Sequence, residues 1–312
     1  MYSIQIEIPA APPRPDPAGL LIPIPPDTAY QRLASLKRSE SHAWTSVRSL
    51  DGDQSAFFFP GTEGVNSSVV YEFSAGDGKD PVRHFDLADN RFTRASPELK
   101  QTVIELTSSA SNQRDALRRL VDFTASLFEY DHPPVKFYDG MDDIPMLSCS
   151  TKGSCTDIHS FLISSLRVIG VPCTYYAGYF FPASSAPTAT GFHCWVTTLA
   201  DGVHEDWDFA KYLKVGRRDV LPALNPVTPG VRLAMGCGRG LRFAVAGHEA
   251  VLPHFAYPFW VFSDGSCVPA EALATLSGPG PRIQDTALPA LVGDRDDAAD
   301  ERPARFSAAG AS

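Results

Sequence analysis

The chain has 312 residues, of which 44% are hydrophobic and 20% charged, and these values exclude a wholly disordered or fibrous protein. The net charge of −9 argues against a nucleic-acid-binding protein, which usually carries an excess of basic residues. No run of about 18 apolar residues occurs, so the sequence predicts no membrane-spanning helix. The first ten residues alternate between polar and apolar, unlike a signal peptide, and we therefore expect a cytoplasmic protein with reduced cysteines.

The first part of the chain carries the pattern of short β-strands. Isoleucine occupies every second position from Ile4 to Ile8, and later aromatic and β-branched runs are separated by Gly and Asp. A proline-rich stretch from Pro9 to Pro26 interrupts the pattern, because Pro cannot donate to a strand ladder. Leu20 to Ile24 is expected to form a short strand at the end of this stretch. We predict an N-terminal β-sandwich-like domain over residues 1–95.

Helical periodicity replaces the strand pattern after this domain. Apolar residues recur at helical spacing over residues 97–106 and 113–128. A third run of this kind begins at Cys155, and Gly170 stands where a glycine commonly follows the end of a helix. The sequence therefore predicts three helices, the last of them starting at Cys155.

The third helix is followed by further strand patterns. Three strands are predicted, over residues 173–181, 192–199 and 203–209. Asp201-Gly202 between the last two is typical of a tight hairpin turn. A helix followed by antiparallel strands is an α+β arrangement, which we assign to a domain spanning residues 96–275. Residues 276–312 are rich in Ala, Pro, Gly and Asp and are predicted to be a disordered tail.

Cys155 is the first candidate for chemistry, because it stands at the start of an amphipathic helix. The dipole and free N–H groups of a helix N-terminus favour an anion, so this thiol should ionise more easily than a free one. A buried packing cysteine is the alternative, since unpaired Cys residues are often buried.

A nucleophilic cysteine needs a base and a group that orients the base. His193 is the candidate base, in the strand that follows the helix. Asp206 and Asp208 lie across the predicted hairpin on a shared strand face, and either carboxylate could fix the tautomer of the imidazole. Each residue alone is a weak signal, but a helix Cys, a strand His and a next-strand Asp in this order are much more specific.

The remaining cysteines carry weaker signals. Cys149, Cys155 and His159 lack the paired spacing of a structural zinc site, so we expect no metal. Cys173 and Cys194 fall inside predicted strands and are interpreted as packing residues. His159, one turn after Cys155, either lines the site or has a structural role in the helix.

The stretch from Gly153 to Ala210 resembles the core of the transglutaminase-like superfamily, a papain-related group. The shared pattern is G-x-C at the start of a helix, an R-x-x-G-I/V-P turn, a G-Y strand, H-x-W, and an Asp at the end of the next strand. Many bacterial members place a β-domain before this core. The matching segments are Gly153-Ser154-Cys155, Arg167 to Pro172, Gly178-Tyr179, His193-Cys194-Trp195 and Trp207-Asp208.

The resemblance implies a papain/transglutaminase-like fold, in which the catalytic helix packs on an antiparallel sheet. It also implies that Cys155 is the nucleophile, that His193 is its base and that Asp208 orients His193. In many members several residues separate the Trp from the Asp, whereas Trp207 and Asp208 are adjacent here. Asp206 therefore stays open as the third member.

The implied reaction is acyl transfer through a thioester on Cys155, most simply the hydrolysis or transamidation of a peptide amide. One alternative is an amide-forming acyltransferase that takes acyl groups from a carrier-protein thioester. Another is a non-catalytic scaffold or binding module with the same fold. The expected partners are peptide, amide or acyl-thioester substrates and, for the first alternative, a carrier protein, with no cofactor, nucleic acid or membrane.

Overall fold

A computed structural model describes residues 1–10, 16–38, 43–61, 67–224 and 227–280. The predicted tail 276–312 lies outside the described residues from position 281 onward, whereas Leu276 and Ser277 at its start belong to a strand. The described part of the chain mixes helices with antiparallel sheets, which confirms the predicted α+β class.

The secondary-structure elements are numbered in chain order. Strands β1 to β6 are Tyr2–Ile8, Pro17–Ile24, Gln31–Arg38, Thr45–Arg48, Ser55–Pro60 and Ser67–Ala75. Helices α1 to α4 are Pro97–Thr107, Gln113–Leu127, Cys155–Val168 and Phe209–Lys214. Strands β7 to β12 are Phe128–Tyr130, Thr151–Gly153, Cys173–Pro182, Thr188–Ala189, His193–Ala200 and Val203–Trp207. Strands β13 to β18 are Gly230–Cys237, Leu241–Val245, His248–Leu252, Phe259–Phe262, Cys267–Pro269 and Leu273–Ser277.

Two five-stranded antiparallel sheets contain the N-terminal strands, in the orders β10-β18-β1-β6-β3 and β17-β16-β2-β5-β4. The alternating isoleucines of β1 are buried, as their period predicts. The hydroxyl of Tyr71 in the first sheet donates to the Pro23 carbonyl in the second at 2.8 Å, so the two sheets are in contact. Both sheets also take strands from the second half of the chain, and the boundary after residue 95 stays a prediction.

A four-stranded antiparallel sheet, in the order β12-β11-β9-β13, carries α3 on one face. The hairpin between β11 and β12 turns at Asp201 and Gly202, whose φ angles are 50° and 76°, as the Asp-Gly pair predicts. Gly178 in β9 pairs with His193 in β11. A Cβ atom at Gly178 would lie 1.9 Å from the Leu233 carbonyl oxygen, so β13 can approach only a glycine here.

The first three helices begin where the sequence predicts, whereas α4 was not predicted. Ser96 accepts a hydrogen bond from the Leu99 N–H at 3.2 Å and caps α1, with Pro97 in the first helical position. Helix α3 begins at Cys155 and ends before Gly170, whose φ of 67° suits a glycine after a helix.

Three parts of the fold differ from the sequence-based expectation. The last predicted strand ends at Trp207 instead of residue 209, because the chain turns into α4 there. Strand β2 begins at Pro17, three residues before the short strand expected over Leu20 to Ile24, and so extends into the stretch expected to be irregular. Strands β3 and β13 have no clear alternating pattern in the sequence, and each contains a bulge that shifts its register.

Candidate active site

Cys155 is the first residue of α3, and its side chain is 5% exposed. The Asp157 carboxylate accepts hydrogen bonds from the Ser154 backbone N–H at 2.8 Å and from the Ser154 hydroxyl at 2.6 Å. Lys136 donates to the same carboxylate oxygen at 3.0 Å. These bonds fix the first turn of the helix, in which the Cys155 N–H has no acceptor within the helix itself.

His193 is the first residue of β11, and its Nε2 lies 2.7 Å from Asp208 Oδ2. Arg232 on β13 donates to the same oxygen at 2.6 Å, and the side chains of Asp208 and Arg232 are fully buried. Burial by itself raises the pKa of Asp208, but the charges of His193 and Arg232 hold that pKa well below its usual range. Asp208 is therefore an ionised carboxylate that orients the imidazole.

The Cys155 thiol is in hydrogen-bond contact with His193. Since Nε2 bonds Asp208, the nitrogen left for the thiol is Nδ1. Burial lowers the pKa of His193, but the charge and hydrogen bond of Asp208 outweigh it and raise that pKa to about 9. A hydrogen bond from Cys194 lowers the pKa of Cys155, and His193 lowers it further against the effect of burial. The resting pair is thus a thiolate beside an imidazolium.

Asp206 lies two residues before Asp208 but has different neighbours. Thr197 donates to its carboxylate at 2.5 Å, and the Tyr30 hydroxyl donates to its other oxygen. Burial raises the pKa of Asp206, and the nearby charge of His204 opposes this rise without cancelling it. Of the two aspartates that the sequence leaves open, Asp208 is the one in contact with the imidazole.

His159 and Cys194 are both fully buried beside Cys155. His159 Nδ1 lies 3.3 Å from Cys194 Sγ, and the two thiols of Cys155 and Cys194 are in hydrogen-bond contact. The interpretation of Cys194 as a packing residue is therefore incomplete. Cys173 is buried on β9, and Cys149 is exposed.

The geometry on α3 and β11 agrees with a comparison of the sequence with known families. Residues 100–207 match the family model of the transglutaminase-like superfamily. The resemblance to the transglutaminase-like superfamily is thereby confirmed for this segment of the chain. The matched segment includes Cys155 and His193 and ends one residue before Asp208.

Solved structures resemble this chain over most of its length. A provisionally assigned cysteine protease from Cytophaga hutchinsonii has a TM-score of 0.50 at 13% identity, covering 94% of this chain and 93% of that chain. The likeness agrees with the predicted transglutaminase-like fold. The periplasmic domain of TgpA from Pseudomonas aeruginosa has a TM-score of 0.33 at 17% identity, over 70% of this chain and 93% of that chain. No curated protein matches the sequence.

Two buried residues of the site were not predicted from the sequence. Arg232 stands within the run Gly230–Cys237, and a single Arg among apolar and glycine residues is the signal that could have found it. Tyr257 follows β15, is 3% exposed and has a hydroxyl without a hydrogen-bond partner in the described part of the chain. Its ring packs edge-on against Phe192, the residue before His193, with 5.5 Å between the ring centroids. Burial raises the pKa of Tyr257, and the neighbouring charges of Tyr179 and Cys155 raise it further.

The described residues lack two other kinds of feature. Within them, no group of three or more His, Cys, Asp or Glu side chains is arranged to hold a metal ion. None of the helices in the same part of the chain is long and apolar enough to cross a bilayer.

Proposed function

We propose that this protein is a cysteine-dependent acyl-transfer enzyme that hydrolyses or transamidates a peptide amide. The observation that carries the proposal is the contact of the Cys155 thiol with His193, which is bonded in turn to the buried Asp208. The assignment of the structurally similar Cytophaga hutchinsonii protein as a cysteine protease supports a peptide substrate.

In the first step the Cys155 thiolate attacks the carbonyl carbon of the amide. The sulfur–carbon bond forms as the carbonyl electrons move to oxygen, which gives a tetrahedral oxyanion. The oxyanion then collapses and the carbon–nitrogen bond breaks, while the His193 imidazolium gives its proton to the leaving amine. The products are a free amine and a thioester on Cys155.

The oxyanion needs hydrogen-bond donors, and two groups are suited to this role. One is the backbone N–H of Cys155, which lies at the start of α3 and has no acceptor in the helix. The other is the Tyr257 hydroxyl, which is buried on a ring that packs against Phe192, next to His193, and has no hydrogen-bond partner among the described residues. We propose that both donate to the oxyanion.

In the second step neutral His193 takes a proton from the acceptor, which attacks the thioester carbonyl. Water as the acceptor yields a carboxylic acid, and an amine yields a new amide. Either reaction returns the thiolate and the imidazolium, so the proposed cycle needs no cofactor. A cytoplasmic location belongs to the same proposal and can be tested by fractionating cells that express the full chain.

The experiment is capture of the acyl-enzyme. The full chain is mixed with peptide p-nitroanilides and, separately, with acyl-N-acetylcysteamine thioesters, quenched with acid and digested for mass spectrometry. We expect an acyl group on the Cys155 peptide with the p-nitroanilides, a loss of this adduct in Cys155→Ala, and an unchanged adduct in Cys173→Ala. Cys173 is a suitable control because it is a buried cysteine of the same sheet.

The acceptor is identified by adding a primary amine to the same reaction. A free acid as the sole product indicates hydrolysis, and an amide product indicates transamidation. An adduct formed from the thioesters alone would instead favour the amide-forming acyltransferase. Undiminished turnover by Cys155→Ala would refute the proposal. The absence of any adduct on wild-type Cys155 with either kind of substrate would instead favour a non-catalytic scaffold or binding module.

A further inference from the structure

A second buried cysteine meets the nucleophile from the strand that carries the histidine. Cys194 follows His193 on β11, and its side chain is on the opposite strand face, toward α3. The thiols of Cys194 and Cys155 are in hydrogen-bond contact. The neighbours of Cys194 determine which of the two sulfurs donates the hydrogen bond.

His159 sets the direction of these hydrogen bonds. Its Nε2 accepts a hydrogen bond from the Phe209 backbone N–H at 3.2 Å, so the lone pair lies on that nitrogen. Burial lowers the pKa of His159 to about 4, and the ring is therefore neutral near pH 7. A neutral ring that accepts at Nε2 carries its proton on Nδ1, which donates to Cys194 Sγ over 3.3 Å.

Cys194 is then left with its own S–H to donate. Burial raises the pKa of Cys194 well above its usual value, and the neighbouring charge on Cys155 raises it further, so Cys194 keeps its proton. Its sulfur accepts from His159, and its proton lies toward Cys155. Phe209, His159, Cys194 and Cys155 therefore form a chain of hydrogen bonds that all point toward the nucleophile.

We propose that Cys194, oriented by His159, is a positioning residue that donates a hydrogen bond to the sulfur of Cys155. The inference rests on the proposed function, because it concerns the nucleophile of that reaction. The donor holds the thiolate in place before attack. When the thioester breaks, the Cys194 thiol donates to the same sulfur, and it therefore stabilises the thiolate as the leaving group.

Other titratable groups also face the pair of Cys155 and Cys194. Tyr175 from β9 and Arg239 from the loop after β13 face Cys194, and the charge of Arg239 lowers the pKa of Cys194 against the effect of burial. His193 and Tyr257 face Cys155. All of these groups remain in place when Cys194 alone is changed, so a shift in the titration of Cys155 reports on the Cys194 thiol.

The test measures how the reactivity of Cys155 depends on pH. The full chain is labelled with iodoacetamide from pH 3 to pH 10, and the label on the Cys155 peptide is quantified by mass spectrometry, which separates it from the other cysteines. We expect Cys194→Ala to raise the labelling midpoint by about one pH unit, a tenfold change in the ionisation constant. Cys194→Ser keeps a donor and should recover most of this shift, and the matched control Cys173→Ala should leave the midpoint unchanged.

His159→Asn provides a second, independent variant. It removes the ring that accepts from Phe209, so the Cys194 thiol loses its fixed direction and the midpoint should rise by about half a unit. The same variants should deacylate more slowly than the wild type, by about tenfold for Cys194→Ala. An unchanged midpoint in Cys194→Ala or in His159→Asn would overturn the proposal, as would equal shifts in Cys194→Ala and Cys194→Ser.

The labelling result and the acyl-enzyme result separate the two proposals. A wild-type chain that never forms acyl-Cys155 refutes the proposed function, whatever the labelling midpoint is. Normal acylation with a midpoint that does not respond to position 194 refutes the role of Cys194 and leaves the proposed function in place.

Discussion

Asp206 and Asp208 are two residues apart, both are buried, and their pKa values move in opposite directions. Asp208 faces two positively charged partners, His193 and Arg232, which together outweigh its burial. Asp206 is bonded by the hydroxyls of Thr197 and Tyr30, and burial remains the larger influence on it. Neutral donors satisfy the hydrogen bonds of a carboxylate but do not replace a cation in keeping it ionised.

The two aspartates also differ in the roles that their neighbours suggest. The neighbours of Asp208 keep it ionised, and its negative charge stabilises the His193 imidazolium. This arrangement suits a group that supports proton transfer. The surroundings of Asp206 include the Asp80–His204 ion pair and join residues from the N-terminal strands to the four-stranded sheet. We interpret the first region as catalytic and the second as structural, and the following changes test this division.

The largest effect is expected from Asp208→Asn. The amide keeps the shape of the carboxylate but loses its charge, so His193 is held less well and its imidazolium is no longer stabilised. We expect kcat/KM for a peptide p-nitroanilide to fall by about 10³- to 10⁴-fold. Asp206→Asn is the matched control and should lower it by less than about threefold. The opposite order would assign the catalytic role to Asp206.

The tyrosines of the two regions extend the comparison. Tyr257→Phe removes the hydroxyl proposed to bind the oxyanion, and kcat should fall by about tenfold to a hundredfold with little change in KM. Tyr30→Phe removes a hydroxyl that bonds Asp206 and should leave kcat nearly unchanged. Equal effects of the two substitutions on kcat would contradict the division into a catalytic and a structural region.

Replacing Arg232 tests how much its positive charge beside Asp208 contributes to the stability of the fold. Arg232→Met leaves the buried carboxylate with His193 as its remaining charged partner, and the free energy of unfolding should fall by about 3 kcal/mol. Denaturant unfolding measures this change. Arg232→Lys keeps the charge and should be less destabilised. Arg242→Met, at an exposed ion pair with Asp51, should change the stability little, and a loss there as large as at Arg232 would argue against a special role for the buried pair.

The pH dependence of kcat/KM should change in Asp208→Asn and stay the same in Asp206→Asn. Amide cleavage requires the His193 imidazolium as the acid, and Asp208 raises the pKa of His193 to about 9. The kcat/KM of the wild type should therefore fall as the pH rises through about 9. In Asp208→Asn the residual activity should fall at a lower pH, because burial then lowers the pKa of His193. In Asp206→Asn the fall of kcat/KM should stay near pH 9. An equal shift of this fall in both variants would show that the pKa of His193 does not depend on Asp208 in particular.

Cys155 and its helix could be recognised as a candidate site from a short stretch of sequence. Cys155, the amphipathic helix and Gly170 lie close together in the chain, so periodicity and end signals suffice to predict the helix. The choice between Asp206 and Asp208 could not be made, because alternation puts both on one strand face. It depends on the end of β12 at Trp207, where the chain turns into α4.

Long-range contacts account for what the sequence did not reveal. Arg232 reaches Asp208 because β13 pairs with β9, and this register includes a bulge that no local pattern indicates. Tyr257 packs against Phe192, beside His193, from a segment between two strands of different sheets. Such positions depend on tertiary pairing, which propensity and periodicity do not encode.

The pairing of β1 with β18, the last strand of the described residues, has a consequence for synthesis of the protein on the ribosome. Ser3 pairs with Ser277, and β18 also pairs with β10, in the loop that leads to His193. Translation supplies the N-terminal strands first, so one edge of β1 stays open until the final strand emerges. Contacts so distant in sequence form slowly. We therefore expect the nascent chain to depend on protection of this open edge, and to acquire an ordered histidine loop only after the last strand has been made.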